Sequence, residues 1–537
     1  MKKNKIQILL YGAILLVASS LSFSSCMGDL DRYPTNDVTS ELVYSSFDGY
    51  KSVLAKVYGA YALTGNDGPV NKPDLSLGDE AIGDFIRCFF NLQSMTTEEA
   101  ICTWTDNGIP DLNYMTWSSN NVFVSGAYYR SLYQITLANE FLRESEAGKV
   151  KSRGITGNEA TEIEQFRNEV RFLRAFQYWV MLDLFGNPPF VDENTPLGTY
   201  LPEQIKRADL FKYIESELKE IEPLLKDPKS NEYGRADQAA CWSLLARLYL
   251  NAKVYSGEER YTDAITYSKK VIDSKKYDLK PKYEELFMAD NHLNNPEVIL
   301  SINYDGQRTQ NWGGLTYIIN ASFITTRSDV PGVNFQEYFG MGGLSGWYGN
   351  RSRRELSKRF DNTDSRKLFF GSKTDIDNVG EFTEGIAVAK FRNVTSAGNP
   401  GSNFDTGLCD TDFPLFRLAE MKLILAEAVL RGGQGASMDE AITQMNDLRE
   451  RAFGNESKNY TSISLDEVLN ERSRELYWEG FRRTDLVRYG LFTSSKHLWQ
   501  WKGGVKDGAG VDDHFNLFPI PASDLMANPN LDQNDKY

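Results

Sequence analysis

Residues that could carry catalysis are present, but their spacing matches no catalytic motif that we recognise. The three histidines, His292, His497 and His514, are far apart and lack the spacing of a metal site. The glycine-rich stretch GMGGLSG is not followed by the Lys-Ser/Thr helix start of a phosphate-binding loop. A glycoside hydrolase needs two carboxylates facing each other across a cleft, which a sequence does not reveal. We expect a protein without catalysis, and an all-α glycoside hydrolase stays an alternative.

Metal and sulfur chemistry are represented by two weak signals. The stretch MADNHLNN is rich in oxygen ligands but lacks a full calcium-loop pattern, so it allows a structural Ca²⁺ near Asp290 without requiring one. We expect no other cofactor and no metal bound by a dedicated motif. Beyond the N-terminus the cysteines show no C-x2-C pattern. They are Cys88, Cys102, Cys241 and Cys409, of which the first two could pair in an oxidising compartment.

Composition describes a folded chain that is rich in aromatic residues and acidic. Of 537 residues, 41% are hydrophobic and 12% aromatic, and the formal charge is −15. No long basic run is present, which argues against nucleic acid as a partner. A neutral ligand such as a sugar is compatible with this charge.

A helical scaffold must position whatever site the chain has. In Arg235–Leu250, the residues Trp242, Leu245, Ala246 and Tyr249 form one apolar stripe of a helix. They match the first half of a tetratricopeptide repeat, in which a small residue lets a second helix approach closely. A single hairpin of this kind cannot bury its apolar face, so the pattern predicts stacked neighbours.

The helical pattern recurs along the chain and is interrupted twice. We predict one mostly α domain, residues 38–537, with about four tetratricopeptide-type hairpins and two long irregular, β-containing insertions at about 65–120 and 293–412. A further long, charged helix is predicted at 465–489, with a solvated or ion-paired face, and coil at 514–537. Long excursions from a rigid scaffold tend to carry function.

The N-terminus resembles a bacterial lipoprotein signal. Lys2, Lys3 and Lys5 precede an apolar segment that is too short for a comfortable membrane span and ends at LSFSSC. We predict a signal peptide at 1–25, an acylated Cys26 and a tether at 26–37, with a simple cleaved secretory signal as the alternative. The following MGDLD resembles the acidic surface-export tag of Bacteroidetes lipoproteins. We therefore expect the chain on the outer membrane, facing the cell exterior.

Several stretches together resemble the SusD/RagB family of glycan-binding outer-membrane lipoproteins, and within it the starch-binding type. They include SSCMGDLD, EVRFLRAFQYWVMLDLFGNPPF, GRADQAACWSLLARLYLNAKVY, ELFMADN, DTDFPLFRLAEMKLILAEA, ERSRELYWEGFRRTDLVRYGLF, LWQWKGG and FPIPASDLMANPNLDQN. The resemblance implies a non-catalytic protein that holds a neutral oligosaccharide, most simply starch or another α-glucan, at the cell surface. It also implies a partner, a SusC-like TonB-dependent transporter. Dextran, fructan or xylan are alternative ligands within the family.

The resemblance also implies site residues. Trp312 in NWGG and Trp347 in SGWYGN correspond to aromatic platforms, and Arg87 and Asn107 to a flanking polar pair. Tyr348, next to Trp347, is a further candidate for sugar contact. Where the starch binder has two tryptophans two residues apart, this chain has Cys102 and Trp104. A thiol offers no flat face, so a third platform is expected to be missing here, with Trp104 as packing support.

Each of these residues also has a purely structural interpretation. Trp179, Trp242 and Trp478 lie on helical stripes and are expected in the core. Arg87 and Asn107 could equally hold a loop together by hydrogen bonds. A protein-binding repeat adaptor, using the concave helical face and binding no sugar, is the alternative from a different class.

Overall fold

The protein's structure is a computed structural model that describes residues 40–65, 68, 73–77, 80–198, 200–343 and 345–537. The predicted signal peptide, the acylated Cys26 and the tether lie outside the described residues. Among the described helices, none is long and apolar enough to cross a membrane.

Helices dominate the described chain, as the sequence predicts. In chain order the α-helices are α1 Ser40–Val43, α2 Phe47–Gly59, α3 Phe85–Phe90, α4 Ile109–Tyr114, α5 Val122–Glu144, α6 Ala147–Ser152, α7 Gly157–Leu184, α8 Arg207–Ile221, α9 Gln238–Leu250, α10 Ala252–Ser256, α11 Tyr261–Asp273, α12 Gly314–Ala321, α13 Phe335–Phe339, α14 Arg354–Ser357, α15 Leu418–Leu430, α16 Met438–Phe453, α17 Leu465–Leu476, α18 Arg482–Arg488 and α19 Ala522–Ala527. A π-helical turn, Asn91–Met95, continues α3.

Within the described residues the strands are short and pair antiparallel in three two-stranded ribbons. They are β1 Ile101–Cys102 with β3 Asn350–Arg351, β2 Val298–Ile302 with β6 Phe413–Arg417, and β4 Phe369–Phe370 with β5 Ala387–Val388. In the first ribbon Cys102 lies opposite Asn350. This ribbon joins the two predicted insertions to each other.

The long helices pack on one another around one large core. α5 packs on α7, α7 on α8, α9 on α11, α11 on α15, and α15 on α16. Ala246, Ala264 and Ala426 are completely buried at these contacts. Because their side chains are small, the helix axes can approach closely, as the sequence pattern predicts for Ala246. Trp179 and Trp478 are buried as expected, whereas Trp242 is half-buried and its Nε1 donates to Glu222.

The predicted continuous helix at 465–489 is wrong, because the structure breaks it between α17 and α18. Trp478 and Gly480 both have positive φ, 65° and 81°. The break lets the Trp478 backbone N–H and its indole Nε1 donate to Glu99, at 3.0 and 2.8 Å. A Cβ at Gly480 would lie 2.2 Å from Phe89 Cε1, so glycine is required at this crossing.

Parts of the insertions and of the tail are more helical than expected. The stretch GLTYIIN, within the second insertion predicted to be irregular and β-containing, forms α12, and the tail expected as coil contains α19. All six residues of α3 and all eight of α12 are buried. Helices of six and eight residues are shorter than the window of about 11–18 residues in which a period of 3.6 residues is recognised, which explains why the sequence did not indicate them.

Candidate functional site

The two tryptophans of the glycine-rich loops lie together at the surface. Trp312 and Trp347 are half-buried, with ring centroids 6.1 Å apart and ring planes inclined by 58°. Neighbouring aromatic rings at this spacing present adjacent flat faces, on which the C–H faces of sugar rings can stack. The structure thus brings both predicted platforms into one site.

Trp104 adds a third ring to the same surface. Its centroid lies 6.4 Å from that of Trp347, with the planes inclined by 46°, and its Nε1 donates to the Trp347 carbonyl at 3.0 Å. The side chain is half-buried, so part of its ring is exposed next to Trp347. We call Trp104, Trp347 and Trp312 the tryptophan arc.

Cys102, at the position where the third platform is expected to be missing, lies completely buried in β1. Burial raises the pKa of its thiol to about 12, so the thiol stays protonated and unreactive. The cysteine therefore lies beneath the surface and offers no face to a ligand. Cys88 and Cys102 are both free thiols here, so the pairing that their positions allowed is not formed.

Strand pairing sets the distance between Trp104 and Trp347. The Thr103 N–H donates to the Gly349 carbonyl at 2.9 Å, and the Thr103 hydroxyl donates to the Tyr348 carbonyl at 2.6 Å. A Cβ at Gly349 would lie 2.7 Å from Trp104 Cε2, so a larger residue there would displace the indole. No pattern in the sequence indicated this role of Gly349.

Asp84 holds the loop of Trp312 against α3. Its carboxylate accepts from the backbone N–H of Arg87 at 2.7 Å and of Gly314 at 2.8 Å, and from the Asn311 amide. Asp84 is fully buried, and burial raises the pKa of its carboxyl group. This one side chain caps α3 and fixes the start of α12, so it positions Arg87 and Trp312 together. Sequence analysis did not single it out.

Arg87 lies behind the arc, 9% exposed. Its guanidinium is held between aromatic rings, 4.7 Å from the centroid of Tyr317 and 5.3 Å from that of Phe123. The buried Nε has no hydrogen-bond partner in the described part of the chain. Tyr317 also contacts Trp104, at 5.8 Å between centroids. The Tyr317 ring thus contacts both the Arg87 guanidinium and Trp104 of the arc. Cation–π contacts of this kind leave the guanidinium N–H groups free to donate.

Hydrogen bonds in the buried interior fix the position of Tyr317. Its hydroxyl lies 3.0 Å from Asn91 Oδ1 and 3.3 Å from Asn350 Oδ1, both in the buried interior. Since Asn350 belongs to β3, the same ribbon that sets the arc also holds the ring beneath it. The site is therefore positioned by packed elements of both insertions.

Two other candidates lie in exposed turns. Asn107 is exposed in the turn before α4, three residues after Trp104. Tyr348 is 51% exposed with φ 41°, and its ring contacts Phe382, at 6.4 Å between centroids. Asn107 can present an amide beside the arc, whereas the Tyr348 ring turns toward Phe382.

The calcium site near Asp290 stays a prediction. The Asp290 carboxylate accepts from the Ser396 N–H at 2.8 Å and from the Ser396 hydroxyl at 2.6 Å. Among the described residues, no group of three or more His, Cys, Asp or Glu side chains is arranged to hold a metal ion.

Comparison with known proteins identifies the family. The model of the SusD family matches residues 256–537, and the starch-binding protein SusD of Bacteroides thetaiotaomicron is 37% identical, with 98% of each chain covered. The chain belongs to the SusD family. It is also similar in fold to solved structures at lower identity. A SusD superfamily protein of Bacteroides thetaiotaomicron has a TM-score of 0.69 at 20% identity, covering 91% of this chain and 100% of that one.

A second solved structure is of a protein whose ligand is named. Surface glycan-binding protein A from Bacteroides thetaiotaomicron, in complex with laminarihexaose, has a TM-score of 0.65 at 19% identity. The similarity covers 91% of this chain and 99% of that one. At this identity the comparison establishes the shared fold.

Proposed function

We propose that the protein binds a neutral oligosaccharide or polysaccharide, first of all starch or another α-glucan, across the tryptophan arc. The observation that carries the proposal is the succession of three half-buried indole rings, Trp104, Trp347 and Trp312, each 6.1–6.4 Å from the next. The planes are tilted rather than parallel, so the three faces follow a curved ligand better than a flat one. The 37% identical relative is a starch-binding protein, which supports the choice of an α-glucan.

Polar groups complete the proposed sugar site. Sugars need hydrogen-bond donors and acceptors for their hydroxyls as well as an aromatic face. Arg87 supplies donors from behind the arc, and Asn107 supplies an amide from the neighbouring turn. Tyr348, turned toward Phe382, would contact a ligand only at its edge. Indoles, a guanidinium and an amide supply neither the general acid nor the nucleophile of glycoside hydrolysis, which favours a binding protein over an enzyme.

Replacing Trp312 tests the proposal. Trp312→Ala is expected to weaken binding about fivefold, because one stacking contact contributes about 1 kcal/mol beyond its buried area. The measurement is isothermal titration calorimetry of the full chain against starch, maltooligosaccharides, dextran, fructan and xylan.

The outcomes of that titration separate the alternatives. Affinity for α-glucans that falls in the variant supports the proposed ligand, and affinity for another polymer alone would keep the arc and change the ligand. Unchanged affinity in a variant with a wild-type circular dichroism spectrum would exclude Trp312 as a platform. A wild-type chain that binds none of the polymers would favour the protein-binding adaptor.

The proposed surface location depends on Cys26. We propose that Cys26 is acylated, that the lipid holds the chain on the outer membrane facing outward, and that a SusC-like TonB-dependent transporter receives the glycan. Cys26→Ala is expected to move the protein from the membrane fraction to the soluble fraction without unfolding it, because the anchor is a lipid outside the core. Met27→Ala is the matched control and should stay in the membrane fraction. Membrane association of the Cys26→Ala variant would contradict the lipid anchor.

A further inference from the structure

A second exposed aromatic pair, separate from the arc, lies on a groove beside β2 and β6. The rings of Tyr233 and His292 are 6.3 Å apart, with planes inclined by 54°. Tyr233 is 48% exposed, yet its hydroxyl donates to Asp412 Oδ2 at 2.7 Å and accepts from the Ser301 hydroxyl at 3.0 Å. An exposed ring that is fixed at its far end offers a flat face with little conformational entropy left to lose on binding.

The Tyr233 hydroxyl and Asn291, the residue before His292, are hydrogen-bonded to the same buried residue, Asp412. Asn291, next to His292, donates through Nδ2 to the Asp412 carbonyl at 2.9 Å and accepts from the Asp412 N–H at 3.1 Å. Asp412 is 2% exposed, and its second carboxylate oxygen accepts from the Tyr304 N–H at 2.7 Å. Tyr233 and His292 come from two distant parts of the sequence, so this anchoring fixes their relative position before any ligand binds.

The turn that carries Tyr233 is also constrained by close packing. Gly234 follows with φ 77°, and a Cβ there would lie 1.9 Å from Asn303 Nδ2. Glycine at this position therefore lets the turn pack directly against Asn303, the residue that follows β2. Close packing thus holds the Tyr233 backbone beside β2, and the hydrogen bonds to Asp412 and Ser301 hold its hydroxyl.

Open space lies on both sides of the aromatic pair. One cavity of about 740 Å³ is lined by Tyr233, His292, Asp305, Arg308 and Ser402, among others. A second of about 320 Å³ is lined by Tyr233 and His292 again, with Asn231, Glu232 and Asn295. Volumes of several hundred Å³ are those of sites for small organic ligands. The pair thus forms a ridge between two cavities, and a chain of linked rings could cross it.

The charges and polar groups of the larger cavity select the kind of ligand. Its carboxylates, Asp290, Asp305, Asp410 and Asp412, outnumber its one described arginine, Arg308. This balance disfavours phosphate, sulfate or uronic acid groups. The exposed side chains of Asp305 and Arg308, 43% and 86% accessible, offer an acceptor and donors at the rim. We infer that the groove on either side of Tyr233 and His292 is a second binding site for a neutral oligosaccharide, with sugar units on both sides of the aromatic ridge.

The second site contains none of the three tryptophans of the arc, so it can be tested without them. Isothermal titration calorimetry would use the full chain with maltoheptaose, laminarihexaose and xylohexaose as probes. The double variant Trp312→Ala/Trp347→Ala is expected to retain binding of at least one probe. Adding His292→Ala and Arg308→Ala to that variant is expected to weaken the remaining binding at least tenfold. Both replaced side chains lie at the surface, and melting temperatures would confirm that each variant is folded.

Tyr200→Ala, which removes another exposed tyrosine (45%), is the matched control and should leave every affinity unchanged. A folded arc-deficient variant that binds none of the probes would overturn the second site. So would remaining binding that His292→Ala and Arg308→Ala leave intact. If the arc is not a glycan-binding surface, the result is different, because the arc-deficient variant then binds as tightly as the wild type. Absence of binding by the wild-type chain would overturn both sites.

Discussion

Arg417→Met is expected to lower the free energy of unfolding by about 3–5 kcal/mol, the cost of breaking a buried ion pair on one side only. Arg417 ends β6 and is 1% exposed. Its guanidinium contacts Glu479 at 2.7 and 2.8 Å, Glu297 at 2.8 Å and Glu475 at 2.5 Å. Methionine has a similar length but no charge, so it would leave these buried carboxylates short of one positive charge.

The same carboxylates are shared with other buried cations, which makes Arg417 the centre of a network. Arg451 contacts Glu297 at 3.0 Å, and Arg366 contacts Glu475 at 3.1 Å. Burial alone would raise the pKa of Glu475, but the positive charges of Arg451, Arg417 and Arg366 outweigh it and hold this pKa well below its usual range. Glu475 is therefore ionised in the intact network, and removing Arg417 leaves this buried carboxylate with one cation fewer to offset its burial.

The stability change would be measured by urea unfolding followed by circular dichroism. Lys458→Met is the matched control, because Lys458 pairs with Asp361 at 2.9 Å with both side chains about 40% exposed. An exposed pair of this kind contributes at most about 1 kcal/mol. Arg417→Lys, which keeps the charge but not the planar fork, should lie between the two. A loss below about 1 kcal/mol for Arg417→Met would contradict a stabilising role of the network.

This network also shows what the sequence did and did not reveal. The charged pattern at 465–489 indicated a solvated or ion-paired helix face, and the ion pairing is confirmed. Its burial was not visible, because Glu475 and Glu479 reach cations and strands from elsewhere in the chain, including Arg366 and Arg417. Pairing partners distant in sequence leave no local periodicity. The break at Trp478 was not visible for the same reason. Its two N–H groups donate to Glu99, which lies 379 residues away in the sequence.

The scaffold was easier to predict than the site. The 13-residue helices α9 and α11 are long enough to show their stripes in the sequence, whereas α3 and α12, of six and eight residues, are not. For the site, family resemblance named Trp312 and Trp347, and the structure brings their rings together. Trp104 was expected to be packing support, and its contact with Trp347, 243 residues away in the sequence, was not visible. Asp84 and Gly349 likewise act through contacts between the two insertions, which only the folded chain brings together.

Trp347→Ala is expected to weaken binding of an α-glucan about 30-fold, about 2 kcal/mol and more than the loss from Trp312→Ala. Trp347 is the middle ring of the arc, in contact with both Trp104 and Trp312. Its removal would interrupt the stacking surface, whereas loss of an end ring would shorten it. The backbone contacts remain in the variant, since the N–H of residue 347 donates to Asn320 and its carbonyl accepts from Trp104 Nε1. The variant should therefore keep Trp104 close to its present position.

The measurement is isothermal titration calorimetry with maltoheptaose, in parallel with affinity electrophoresis in starch gels. Trp347→Phe should recover most of the affinity, because a smaller flat ring still bridges the outer two. Trp501→Ala is the matched control, since Trp501 is also half-buried but contacts Tyr114 instead of the arc. An effect of Trp347→Ala no larger than that of Trp501→Ala would exclude the arc as the glycan surface. A large effect with recovery by phenylalanine would show that a flat ring at the middle position is what the ligand requires.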